Sequence, residues 1–218
     1  MTVAPADMGA PALDFRVGAV AAVEHAVVPT LAFSVEVDAG GREIRSLALD
    51  VQIRIDAARR SYDDGERARL FELFGHREGW GRALRSLRWT TVSLTVPPFT
   101  GSTTVDVTVP CTYDFDVVAT KYLHALGADG EVPLELLFSG TVFFAGAGGR
   151  LQVVRLSWDS TGCCTMLVRV WRDALEHAFP GTAWVRLRRD VFDRLQAFKS
   201  SRALLTFDAA VEELLSDE

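Results

Sequence analysis

A period-2 alternation held over residues 31–55 limits this chain more than any other feature. Leu31, Phe33, Val35 and Val37 alternate with Ala32, Ser34 and Glu36, and Leu47, Leu49, Val51, Ile53 and Ile55 alternate with Ala48, Asp50, Gln52 and Arg54. Successive side chains of a strand point to opposite faces, so each run gives a strand one apolar face and one polar face. A helix would scatter the same residues around its circumference. Gly40-Gly41 separates the runs and predicts the turn of a hairpin.

The alternation returns further along. Trp89–Val96 reads as a strand stopped by Pro97-Pro98, because proline cannot donate to a ladder. Thr103–Val109 alternates, and Val132–Phe144 with Leu151–Trp158 forms a strand pair around Gly146, Gly148 and Gly149. Between the β segments, residues near 64–87 change character. Asp63 or Asp64 caps a helix carrying Leu70, Phe71, Leu73 and Phe74, and a second short helix contains Trp80, Leu84 and Leu87. Phe115–Leu126 admits a strand running into a short helix. In the last third Val170, Ala174, Leu175 and Ala178 recur at helical spacing, and Phe179-Pro180-Gly181 ends the run. Asp190 caps a helix with Val191, Leu195 and Phe198, and Thr206 or Asp208 caps the last one. The expected class is α+β, an antiparallel β-sandwich-like body with a short helical insert and C-terminal helices. Residues 1–12 read as a flexible N-terminus, 13–165 as the β-rich body, and 166–218 as a helical segment packed on it in one compact unit.

Composition narrows the function. The 218 residues are 49% hydrophobic and carry a net charge of −6. No apolar stretch is long enough to span a bilayer, and the N-terminus lacks the pattern of a signal peptide. Three cysteines make no disulfide scaffold in a chain of this length, so a cytoplasmic setting is expected. The charge is segmental: −6 over residues 1–149, +5 over 150–202 and −5 over 203–218. A pI near 5.3 speaks against a dedicated nucleic-acid binder, which needs a basic field. The basic residues are 21 arginines and two lysines, Lys121 and Lys199, a bias that a GC-rich genome accounts for.

No phosphate-binding loop, dinucleotide fingerprint or nucleophile elbow is present, and the four histidines are isolated. No catalytic, cofactor or metal residue is therefore assigned. Cys163-Cys164 would point its thiols to opposite faces of a strand, as structural thiols or, alternatively, in redox or metal chemistry. Cys111, Tyr113 and Asp114, with His124 approaching in space, form the densest cluster of reactive side-chain types. A nucleophilic cysteine there would need a neighbouring imidazole. The best interaction candidate is Trp184, Arg186, Arg188, Arg189 and Arg194. Arg186 and Arg188 would share one face of a strand and Arg189 the start of a helix, a pattern suited to an acidic partner or a phosphate.

The strings PFTGST, VPCTYDFDV, KYLHAL, LLFSGTVF and WVRLRRDVFDRLQAFKSSRAL resemble those of a bacterial family of unknown function, common in actinobacteria, over Leu13 to Leu215. The resemblance implies a gene neighbourhood of nickel–iron hydrogenases and their maturation proteins, hence an accessory role. The expected function is a non-enzymatic accessory or protein-binding module without cofactor, engaging another protein and neither nucleic acid nor membrane. The alternative is a metal- or small-molecule-handling enzyme using the Cys111, Tyr113 and Asp114 cluster. A chaperone-like binder is a third reading.

Overall fold

A computed structural model describes residues 10–216 apart from 113, 115, 116 and 158. Seven antiparallel strands form one sheet: β1 (Asp14–Ala22), β2 (Thr30–Asp56), β3 (Ser86–Val96), β4 (Phe99–Pro110), β5 (Glu131–Ala145), β6 (Leu151–Arg155) and β7 (Thr161–Leu167). The helical insert after β2 holds α1 (Asp64–Arg69), α2 (Phe71–Phe74) and α3 (Trp80–Ala83). α4 (Val118–Ala125) precedes β5, and α5 (Val168–Ala178) follows β7. α6 (Arg189–Ser201) and α7 (Phe207–Ser216) end the chain. The α+β class holds. Among the described residues no helix is long and apolar enough to cross a membrane.

The alternating runs are buried on one face as their pattern requires: Leu31, Phe33, Val35, Val37, Leu47, Leu49, Val51, Ile53 and Ile55 are all inaccessible. The Gly40-Gly41 pair is not a hairpin turn, however. β2 continues through it as a single 27-residue strand. Its register against β4 jumps from Asp38↔Ser102 to Glu43↔Thr100, so residues 39–42 face Gly101 alone. Gly40, Gly41 and Gly101 all have positive φ, which lets the backbone bulge and turn a corner without a Cβ penalty. Asp38 Oδ1 accepts from the Gly40 N–H at 2.9 Å and holds the bend.

That corner makes a sandwich from one sheet. The first half of β2 pairs with β1 and β4; the second half pairs with β3 and β5. β5 then pairs with β7 along its first part and β6 along its second. Phe15 of β1 stacks on Phe138 of β5 with ring centroids 4.3 Å apart, and Phe33 of β2 meets Trp89 of β3 edge-on. β1 and β5 are not ladder neighbours, and β3 pairs only with the second half of β2 whereas Phe33 lies in the first, so the two halves face each other across the core.

The body and the C-terminal helices divide into two compact units after Ala183, where the sequence suggested one unit and a boundary at 165. The cause is α5, which buries Val168, Trp171 and Ala174 and so belongs to the body. In the second unit, Phe192 of α6 packs on Phe207 of α7 at 5.5 Å, and Arg202 bridges to Glu213 at 2.6 Å. The acidic last helix thus neutralises part of the basic segment. Two local expectations change here. Trp184–Arg188 forms no strand, and Val185 and Leu187 are both exposed. Asp190 is not the α6 cap: Arg188 holds that position and pairs with Asp190 at 2.9 Å. Thr206 does cap α7, its Oγ1 accepting from the Ala209 N–H.

Candidate partner-binding surface and buried polar groups

The interaction candidates cluster where the chain leaves the body. Trp184 is 54% exposed, Val185 76% and Leu187 40%, within an extended stretch that makes no ladder. Arg186, Arg188, Arg189 and Arg194 are exposed around them. Arg188 pairs with Asp190, and Arg189 reaches Asp193 one turn on at 3.4 Å. Both pairs are solvent-exposed, so each holds its guanidinium only weakly and leaves it able to exchange partners. α6, α7 and the loop between them add exposed Phe192, Leu205, Val211, Leu214 and Leu215. A unit this short cannot bury its own apolar residues, and it displays tryptophan, leucine and arginine together.

The cysteine cluster is arranged differently. Cys111 follows β4 in the core, with its N–H bonded to the Pro29 carbonyl at 2.7 Å. Burial pushes its thiol up to about 12, against a smaller opposing effect of a hydrogen bond from the Leu31 backbone. The thiolate needed for nucleophilic attack is thereby suppressed. Asp114 is half-buried with its N–H on Thr112 Oγ1, and Tyr113 lies outside the described residues. His124 is exposed on α4 and lines a groove of about 750 Å³ with Arg69, Trp171, Arg172 and Glu176; Cys111 is not part of that groove. Arg69 Nε donates to the Ala125 carbonyl and Arg172 Nη2 to that of Leu126, capping the negative end of α4. Cys163 and Cys164 do point to opposite sides of β7, one exposed and one half-buried. Burial, followed by the neighbouring Cys163, pushes the Cys164 thiol up to about 11. Among the described residues no group of three or more His, Cys, Asp or Glu is placed to hold a metal ion.

The best-built polar cluster escaped the sequence reading. Arg60 Nη2 donates to both oxygens of Glu66 at 2.8 and 2.9 Å, with both side chains nearly inaccessible. Glu66 also accepts from the Asp63 and Gly127 N–H groups, while Asp63 accepts from Glu66 N, a capping box that starts α1. The Arg60 guanidinium lies 4.8 Å over the Tyr62 ring, and the Tyr62 and Tyr122 hydroxyls meet at 2.7 Å. Trp80 and Phe74 close the cluster edge-on. It ties the helical insert to α4 and the sheet. Burial raises the pKa of both tyrosines, so neither supplies a phenolate near neutrality. The D-x-x-E box was readable at Asp63; the partner Arg60 comes from outside the helix and left no periodic signal.

A family of unknown function, DUF6084, matches residues 10–218. The chain belongs to the DUF6084 family. The matched span covers every string on which the sequence resemblance rests. No curated protein matches the sequence. Two solved structures resemble this DUF6084 chain at 15% identity. One is the solution structure of a protein described as late embryogenesis abundant, with 72% of each chain covered and a TM-score of 0.33. The other is the crystal structure of OgpA from Akkermansia muciniphila, covering 76% of this chain and 33% of that one at a TM-score of 0.22.

The buried protons have a measurable consequence. Tyr62, Tyr122, Cys111 and Cys164 keep protons in the folded state that the unfolded chain gives up from about pH 8.5 upward. Above that pH the unfolded chain binds fewer protons, so stability declines as pH rises towards about 12. Denaturant titrations at stepped alkaline pH check this; an unchanged midpoint across the range contradicts it.

Proposed function

We propose that this protein is a non-enzymatic binding module that engages another protein through the segment Trp184–Arg194. One observation carries the reading: Trp184 and Val185 are exposed in an extended stretch beside four exposed arginines. Tryptophan and arginine dominate interface hot spots because each combines large contact area with a directional polar group. Arginine in particular offers paired donors to a carboxylate. The complementary partner surface is acidic with an apolar pocket for the indole. The sequence resemblance makes a nickel–iron hydrogenase or one of its maturation proteins the first partner to try, with this chain as an accessory factor.

Arg186→Glu combined with Arg188→Glu tests the site. Tagged wild-type protein isolated from its native host is expected to retain a defined partner by mass spectrometry. The double variant is expected to lose that partner by about tenfold or more at an unchanged Tm, since interface charge reversal costs more than about 1.4 kcal/mol. Equal recovery by both proteins would remove the arginines from the interface.

A further inference from the structure

We propose that β6 is an open sheet edge that takes up an extended acidic segment of another protein as an eighth strand. The argument begins with which backbone groups are already used. Leu156 N–H donates to the Gly140 carbonyl at 3.0 Å, and Gly146 N–H donates to that of Arg150 at 2.8 Å. In an antiparallel ladder hydrogen-bonded and non-hydrogen-bonded pairs alternate. The pairs Val142↔Val154 and Phe144↔Gln152 are therefore the bonded ones. Leu151, Val153 and Arg155 turn their N–H and C=O groups away from β5. Among the described residues no backbone group answers them.

Proteins normally blunt such an edge with proline, a bulge, an inward charge or a covering element. β6 has none of the first three: it is LQVVR, paired with β5 in unbroken register. Its outer face is apolar as well, with Leu151 64% and Val153 58% exposed. Phe143 and Ala145, their cross-strand partners on β5, are only half-buried. A free edge beside an apolar face is the geometry by which peptide-binding domains add a strand, where main-chain bonds give affinity and alternate side chains give specificity.

Charge identifies the occupant. Residues 136–158 contain no Asp or Glu, in a chain that otherwise holds 29 of them. The only charges in that stretch are Arg150 and Arg155, one at each end of β6. Both are exposed, and among the described residues neither has an ion-pair partner. A strand whose ends carry carboxylates would satisfy both guanidinia while its apolar residues cover Leu151 and Val153. A second copy of this chain pairing through β6 brings two more arginines and no carboxylate, so it is the poorer complement. This edge lies within the body and is independent of the Trp184–Arg194 surface.

The full-length protein is titrated into a fluorescent, end-blocked peptide of alternating valine and threonine flanked by glutamates, with binding read by anisotropy. The control peptide carries lysines for the glutamates. Val153→Pro removes an N–H that faces outward, so it costs no native ladder bond and the edge strand tolerates it. It is expected to weaken glutamate-peptide binding about tenfold or more, and Arg150→Glu with Arg155→Glu to do the same, while both variants keep the wild-type Tm. The lysine peptide is expected to bind at least about tenfold more weakly than the glutamate peptide. No binding of the glutamate peptide, equal binding of the two peptides, or binding indifferent to Val153→Pro each overturns the proposal. So does a wild-type dimer in sedimentation that Val153→Pro dissolves, because the edge would then belong to a second copy.

Discussion

Glu66→Ala is expected to cost about 3–5 kcal/mol, the range for removing one partner of a buried ion pair. The loss is large against a total stability of about 5–15 kcal/mol for a domain. Its main source is the charge left behind. The guanidinium of Arg60 would be left in the interior, where its Nη1 is already buried without a hydrogen-bond partner among the described residues. Without Glu66, Nη2 loses both of its acceptors as well. Asp63 and Gly127 lose the carboxylate their N–H groups use, so the start of α1 and the entry to β5 loosen together. Arg60→Met is the comparison. It removes the guanidinium at similar volume, and Glu66 retains two backbone donors. Arg60→Met should therefore cost less than Glu66→Ala. Replacing both residues with methionine should recover most of the loss, because the desolvated charges disappear together. Chemical denaturation of the three variants decides the matter. Equal costs for Glu66→Ala and Arg60→Met would mean that lost packing, not an orphaned charge, sets the energetics.

The insert that this pair anchors shows what a linear sequence conceals. Asp63 and Glu66 are three residues apart on one helix turn, and that spacing signals a cap. Arg60, Tyr62, Tyr122 and Gly127 meet only because the insert folds back against α4, a contact with no period to betray it. The alternating strands were legible for the opposite reason. Their information is local, one residue per face, and every odd position from Leu31 to Val37 is buried as its alternation demands. Gly40-Gly41 lies between these cases. Positive φ at both glycines is what a tight hairpin also needs, so the pair announces a backbone excursion without saying how the chain continues. Only the partners, β1 and β4 on one side and β3 and β5 on the other, make it a corner of one long strand. For the candidate surface, the residue types of Trp184–Arg194 were readable, whereas the absence of a strand there depended on whether an edge lay beside it. The Leu151–Arg155 stretch reads as a strand from its pattern. That its odd-numbered residues turn their backbone groups away from β5 follows from the ladder alone.

Gly140→Ala is expected to destabilise by about 4 kcal/mol, combining overpacking and backbone strain, each of about 1–3 kcal/mol. Gly140 stands opposite Leu49 in the pairing of β5 with β2, where β5 changes partners. β7 pairs with it up to Leu137, and β6 begins at Thr141. Gly140 has φ of 154°, and a Cβ placed on it would lie 2.1 Å from the Ala48 carbonyl oxygen and 3.2 Å from the Leu49 Cα. Those are backbone atoms of the central strand, and no side-chain rotation relieves the overlap. β2 and β5 must separate at the point where β5 passes from one edge partner to the next. Two other glycines resolve the two contributions. At Gly148, φ is 70° with nothing within 4 Å, so alanine there carries strain alone, about 1–2 kcal/mol. At Gly18 the nearest atom is the Ser34 carbonyl oxygen at 3.4 Å and φ is not positive, so alanine should be close to neutral. The expected order of loss is Gly140, then Gly148, then Gly18, read as denaturant midpoints at constant m. A Gly140→Ala protein no less stable than Gly148→Ala would show that β5 and β2 separate at little cost, and that the close approach at Ala48 does not pin the sandwich.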